Sequence, residues 1–212
     1  MNHKEMFEAL RAAGQLTVRY KNESSLMKAI GTVMFFNRRF MEMTTTIGTT
    51  VYFPSRQHVE QDPWNAWDTL AHEYVHAVDH RNSKLFGVLY LFPQVLALLA
   101  LLAIPLWSWW PLLCLLFLAP LPAPWRLRAE LRGYAMSMAV WYWYRQTGGI
   151  PLAMKDKIVG YMTDSTYYFT WPSGAHVRGM VDSWSKRILL DEVTEPEFQL
   201  VRDLIKARQT KR

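Results

Sequence analysis

Cysteine is nearly absent. The 212 residues contain one, Cys114, set inside an apolar run, so no intramolecular disulfide can form and a thiol enzyme is not expected. Nothing marks an oxidising compartment. Residues 1–8 alternate charged and apolar side chains and lack the continuous apolar stretch of a secretory signal, so no cleaved leader is expected. A basic face is also missing. The net charge is +6, but lysines and arginines are scattered apart from clusters beside the apolar run and at 206–212. No helix carries enough of them on one side to follow a phosphate backbone, which argues against nucleic acid as a partner. Clusters in those places suit an anionic lipid surface. Internal repeats and low-complexity segments are lacking too. What is present is apolar: half of the chain is hydrophobic, enough for one full core and an insert.

The longest absence of charge is at the centre. Residues 85–104 and 106–121 contain no Asp, Glu, Lys or Arg, and Trp107, Trp109 and Trp110 lie in the turn between them. A bilayer core of about 30 Å needs roughly 20 apolar helical residues, so the pattern predicts a transmembrane helical hairpin at 85–122. Arg81 and Lys84 precede it, Arg126, Arg128 and Arg132 follow it, and the turn is uncharged. Positive charge is retained in the cytoplasm, so the expectation is an integral membrane protein in contact with membrane lipids, with both termini and the site on the cytoplasmic side.

Around the hairpin the chain divides into an N-terminal half at 1–84 and a C-terminal half at 123–212. In the first, 3–13 reads as an amphipathic helix, 16–20 as a strand and 24–36 as a second helix. The threonine-rich stretch 40–53, broken at Ile47-Gly48, predicts a β-hairpin. Asp62-Pro63 opens a helix that runs to His80, since aspartate can cap the free amides and proline suits the first turn. In the second half, Pro120, Pro122 and Pro124 form a stiff exit, and 125–146 is helical up to Gly148-Gly149. After it come a polar and aromatic stretch to Pro172-Ser173-Gly174, a helix at 177–190, and a last helix opened by the capping box Thr194-Glu195-Pro196-Glu197. The fold class is α+β, mainly helical.

The chemistry lies on the helix that starts at Asp62-Pro63. His72-Glu73-Tyr74-Val75-His76 is an H-E-x-x-H motif. Histidines four apart point to one side of a helix, so both imidazoles can hold one zinc ion while Glu73 takes a proton from the attacking water. Thr69, Leu70, Ala71, Ala77 and Val78 around them are uncharged, as a helix buried around its metal requires. A third ligand must come from elsewhere, because position 82, six residues beyond His76, is asparagine rather than histidine. Glu130 is the best candidate. It lies on the helix that returns after the hairpin, and a hairpin brings the chain back close to where it left. Asp79 is a candidate to orient a ligand histidine from behind. Tyr134 and His176 are the preferred oxyanion donors, with Tyr167 and Tyr168 as further candidates.

The order of HExxH, apolar hairpin, then Arg128-Ala129-Glu130-Leu131-Arg132-Gly133-Tyr134 resembles the membrane-embedded gluzincins, the HtpX and CAAX prenyl protease type. Pro172 to Arg178 is faintly similar to a C-terminal segment there. The resemblance covers roughly 69–134. It implies a zincin-like metallopeptidase core, Glu130 as third zinc ligand from an E-x-x-A-D segment, Glu73 as general base, and protein or peptide substrates. Gly133 and Tyr134 stand where that segment carries alanine and aspartate. The expected function is therefore a membrane-anchored zinc endopeptidase, with edge pairing of the substrate to the threonine-rich strand. The alternative is a non-enzymatic membrane scaffold with a structural zinc site.

Overall fold

The computed structural model describes residues 2–33, 40–119, 121–146, 148–164 and 170–210. Helix α1 (His3–Ala13) starts with a reciprocal cap, in which the Asn2 side chain accepts from the Glu5 amide at 2.9 Å and the Glu5 carboxylate accepts from the Asn2 amide at 2.9 Å. Its apolar face buries Met6, Phe7 and Leu10. Strand β1 (Thr17–Tyr20) passes through a single 3-10 turn at Lys21–Glu23 into α2 (Ser25–Val33). The end of the second expected helix, with Met34 and Phe36, lies outside the described residues.

The expected hairpin is present as β2 (Thr45–Ile47) and β3 (Thr50–Phe53). Gly48 turns between them with φ of 62°, in the left-handed region where a side chain is disfavoured. The hairpin does not stand alone, because β1 pairs with β3 in parallel, Thr17 opposite Thr50 and Tyr20 opposite Phe53, in a sheet of order β1-β3-β2. The short helix α3 (Arg56–Gln61), capped by Ser55, has no counterpart in the sequence reading.

Helix α4 (Pro63–Asn82) begins as the sequence requires, with the Asp62 carboxylate accepting from the Asn65 amide at 3.0 Å and Pro63 in the first turn. The predicted transmembrane hairpin does not form. Residues 86–118 make a helix of six residues, α5 (Phe86–Leu91), and two 3-10 helices, Gln94–Ala103 with ten residues and Trp110–Leu118 with nine. At about 2.0 Å per residue a ten-residue 3-10 helix is about 20 Å long, well short of a bilayer core of about 30 Å. Among the described residues no helix is long and apolar enough to cross a membrane. The expectation of an integral membrane protein with a cytoplasmic catalytic part is corrected on the same ground. Pro93 and Pro111 sit at the starts of the two 3-10 helices and Trp107 takes a left-handed φ of 45°, so the backbone is interrupted where hydropathy alone reads a continuous run. Leu98, Leu101, Ile104, Trp107, Trp109 and Leu116 remain exposed.

Beyond this segment come α6 (Pro124–Arg145), α7 (Leu152–Thr163), α8 (Gly174–Leu189) and α9 (Pro196–Thr210). Helix α7 occupies part of the stretch that the sequence marks only as polar and aromatic. One core unites both halves of the chain: Met6 and Leu10 of α1, Trp67, Leu70 and Val75 of α4, Leu127, Leu131 and Met138 of α6, Val181 of α8 and Phe198 of α9. Glu197 is drawn inward, and with Asp79 of α4 it binds the two terminal nitrogens of Arg132 on α6. This three-helix ion cluster fixes α4 beside α6.

Candidate metal centre

Helices α4 and α6 pack against each other, and their contact holds the three residues that the sequence nominates as ligands. His72, His76 and Glu130 keep only 8%, 7% and 3% of their surface. The two Nε2 atoms are 3.2 Å apart, His72 Nε2 is 3.6 Å from Glu130 Oε2, and His76 Nε2 is 3.8 Å from Glu130 Oε1. A tetrahedral ion bound by imidazole nitrogen and carboxylate oxygen at about 2.0–2.2 Å sets its ligand atoms about 3.4 Å apart. The observed edges bracket that value. This buried group can hold a metal ion.

The electrostatics favour the same reading. Burial alone would raise the pKa of Glu130, yet the close approach of the His72 ring and the charges of both histidines bring it down to about 2. For His72, burial opposes the charged form, and the close Glu130 carboxylate with the charges of Glu73 and Asp68 raises its pKa in spite of that. A buried anion thus faces two imidazoles. Glu130 Oε2 and His76 Nδ1 are both buried without a hydrogen-bond partner among the described residues. An unpartnered carboxylate oxygen 3.6 Å from the His72 imidazole nitrogen is costly by itself and satisfied by a cation.

Glu73 is buried beside the triad and accepts a hydrogen bond from Thr46 Oγ1 of β2 at 2.7 Å. Strand β2 is itself pinned. The Lys21 ammonium, fully buried, donates to Thr45 Oγ1 at 2.7 Å and to the Phe40 carbonyl at 2.6 Å. Burial lowers the Lys21 pKa to about 8, with the negative charge of Glu73 opposing the shift. The Glu73 carboxylate is therefore oriented by the sheet while His72, His76 and Glu130 are oriented by the helix pair.

Of the other nominated residues, Tyr134 belongs to the site, its ring edge-on to His72 with centroids 4.8 Å apart. His176 does not join it. It is exposed at the start of α8, stacked on Trp171 at 5.2 Å, and no hydrogen bond or ring contact among the described residues links it to the triad. Tyr167 and Tyr168 lie outside the described residues. The Asp79 carboxylate is engaged by Arg132 rather than by a ligand histidine. Asp68, one turn before His72, is instead the carboxylate coupled to that ring; burial raises its pKa to about 6, against the charge of His72 and a bond from Ser137.

The sequence reading missed three members of the site. Gly133 has a legible signal, a glycine inside a helix. A Cβ placed on it would lie 2.5, 2.6 and 2.8 Å from Nε2, Cε1 and Cδ2 of His72, so the imidazole rests directly on the α6 backbone. Thr46 was visible only as part of a threonine-rich strand. Tyr90 was absorbed into the supposed membrane span, yet its hydroxyl donates to Glu130 Oε1. Phe86 and Tyr90 of α5 lie against the His76 ring at 6.4 and 6.3 Å and cover the triad.

No family model matches this chain, and no curated protein or solved structure matches it. Two open clefts on the surface, one beside Tyr142 and Trp143 and one along α8 beside His176 and Trp184, are lined by none of the triad residues.

Proposed function

We propose that this chain is a zinc-dependent peptidase in which His72, His76 and Glu130 hold the ion and Glu73 is the general base. The observation that carries the reading is a buried group in which two imidazole nitrogens lie 3.2 Å apart and the Glu130 carboxylate approaches them at 3.6 and 3.8 Å, with a second carboxylate, Glu73, beside them and held by a hydroxyl. Two nitrogens and one oxygen are a donor set that suits zinc and leaves one position open. A bound zinc ion supplies Lewis acidity toward a carbonyl oxygen and toward water. The remaining work falls to the chain. Glu73 accepts a proton from the attacking water as the water oxygen bonds to the scissile carbonyl carbon. It then passes that proton to the amide nitrogen as the C–N bond breaks. Thr46 keeps the carboxylate turned toward the reacting atoms.

Peptide is the favoured substrate class because of where the sheet lies. In the order β1-β3-β2 the outer edge of β2 is unpaired among the described residues, and β2 is the strand whose Thr46 reaches Glu73. An extended chain added to that edge places its backbone beside the base. The HExxH-plus-glutamate resemblance to gluzincins supports the same assignment.

The test uses metal and activity together. The purified chain should hold close to one equivalent of zinc, and Glu130→Ala should lose most of it. Glu73→Gln should keep the zinc while cleavage of an unfolded fluorescent protein falls by at least about 10²-fold, the low end for loss of a general base. A zinc site with a purely structural role predicts no such loss, and equal cleavage by wild type and Glu73→Gln would overturn the assignment.

A further inference from the structure

The two oxygens of Glu130 are not equivalent. Oε1 receives the Tyr90 hydroxyl, whereas Oε2 is buried with no hydrogen-bond partner among the described residues and lies 3.6 Å from His72 Nε2. We infer that Tyr90 is a positioning residue of the metal centre, which occupies Oε1 so that Glu130 binds the ion through Oε2 alone. The inference rests on the metal-site reading above.

The coordination number gives this arrangement its consequence. Two histidines and one carboxylate oxygen leave a tetrahedral ion one open position for substrate or water. A carboxylate that swings round to bind through both oxygens fills that position from the protein side. A hydroxyl hydrogen-bonded to Oε1 resists the swing, because the oxygen would have to give up its donor in a site that offers no other among the described residues.

Tyr90 is held firmly enough for this task. Its carbonyl accepts from Arg126 Nε at 3.1 Å, and the guanidinium lies over its ring at 5.4 Å. Arg126 Nη2 donates to Gln94 Oε1 at 3.1 Å, and Gln94 Nε2 donates to the Leu121 carbonyl at 3.3 Å. Both ends of the apolar segment are thus tied to the helix that carries Glu130. Phe86, one turn earlier on α5, touches His80 and His76 through its ring only and offers the ion no polar group.

Cobalt(II) is the probe, since four-coordinate Co(II) absorbs visible light far more strongly than five- or six-coordinate Co(II). The full chain is stripped by a chelator and titrated with Co2+ as wild type, Tyr90→Phe and Leu89→Ala. Wild type should give the intense four-coordinate spectrum. Tyr90→Phe keeps the ring and its packing, so circular dichroism should not change, while the visible bands weaken and Co2+ affinity falls about 10- to 100-fold, the range for losing an outer-shell partner. Leu89→Ala trims the half-buried neighbour of Tyr90 on α5 without touching the hydrogen bond and should keep the wild-type spectrum. Unchanged bands and affinity in Tyr90→Phe overturn the inference, as does an equal change in Leu89→Ala, which would assign the effect to packing. A phenolate-to-metal charge-transfer band in the Cu2+-loaded wild type that Tyr90→Phe abolishes would make Tyr90 a ligand and also overturn it. If wild type binds no Co2+, the metal-site reading itself fails, a result distinct from all of these.

Discussion

Replacing Gly133 by alanine should strip the metal centre while leaving the helix that carries it intact. Ordinarily the change is favourable, since glycine within a helix is about 1 kcal/mol worse than alanine. Here the added Cβ would meet three ring atoms of His72 at 2.5, 2.6 and 2.8 Å, about 1 Å inside a normal carbon contact. The ring has no free side to retreat to, with Tyr134 edge-on at 4.8 Å and His76 at 5.0 Å between centroids. Overpacking of this sort costs about 1–3 kcal/mol, partly offset by the gain in helix propensity, so the loss in stability should be about 2 kcal/mol at most. Metal binding suffers more, because a ligand must stay within about 0.2 Å of its proper distance. Zinc affinity, measured by competition with a chromophoric chelator, should fall at least about tenfold. Gly160→Ala in α7 is the control, since nothing lies within 4 Å of the position its Cβ would take. That variant should gain stability up to about 1 kcal/mol and bind zinc as wild type does. If Gly133→Ala behaves like Gly160→Ala in both measurements, the contact between His72 and the α6 backbone does not constrain the site.

Two further outcomes concern buried charges away from the ligands. The Lys21 pKa is lowered to about 8 in the fold against an ordinary value of 10.5. Between those limits the unfolded chain binds more protons, so stability should rise as pH goes from about 8 to about 10.5. Lys21→Met should remove that component, read by denaturant unfolding at the two ends of the window; parallel pH profiles for variant and wild type would refute it. Arg132→Met removes the shared partner of Asp79 and Glu197, whose side chains keep only 12% and 5% of their surface. A loss of about 3 kcal/mol is expected, at the low end for breaking a buried pair because Arg132 is itself partly exposed. Burial already raises the Asp79 pKa, so the deficit should shrink as pH falls and the orphaned carboxylates take up protons; a deficit that grows toward low pH would contradict this.

The elements that formed as the sequence indicates are those whose signals are local. Asn2 through Glu5 and Asp62-Pro63 are caps written within four residues, and the positions of His72, Glu73 and His76 follow from helical geometry alone. Gly48 marks its turn by the same logic. The apolar run misled because hydropathy sums transfer energies and does not measure helix length. Pro93 and Pro111 fall where the backbone changes course, and the helices between them are too short to span.

By itself, then, the sequence determined the HExxH helix and its start, and it nominated Glu73 as a base and Glu130 as a ligand, the latter by the reasoning that a chain leaving α4 returns near it. That part of the reasoning survives without a membrane, since a returning segment needs only to pack, and the α4–α6 core supplies the packing. Only the tertiary structure decided which carboxylate oxygen is free, that Thr46 holds Glu73, that His72 leans on Gly133 and that Tyr90 reaches Glu130. Each of these contacts joins residues on different elements, and their separations are fixed by how helices and sheet dock. No period or motif along the chain encodes that docking, because it depends on the volumes and directions of many side chains at once.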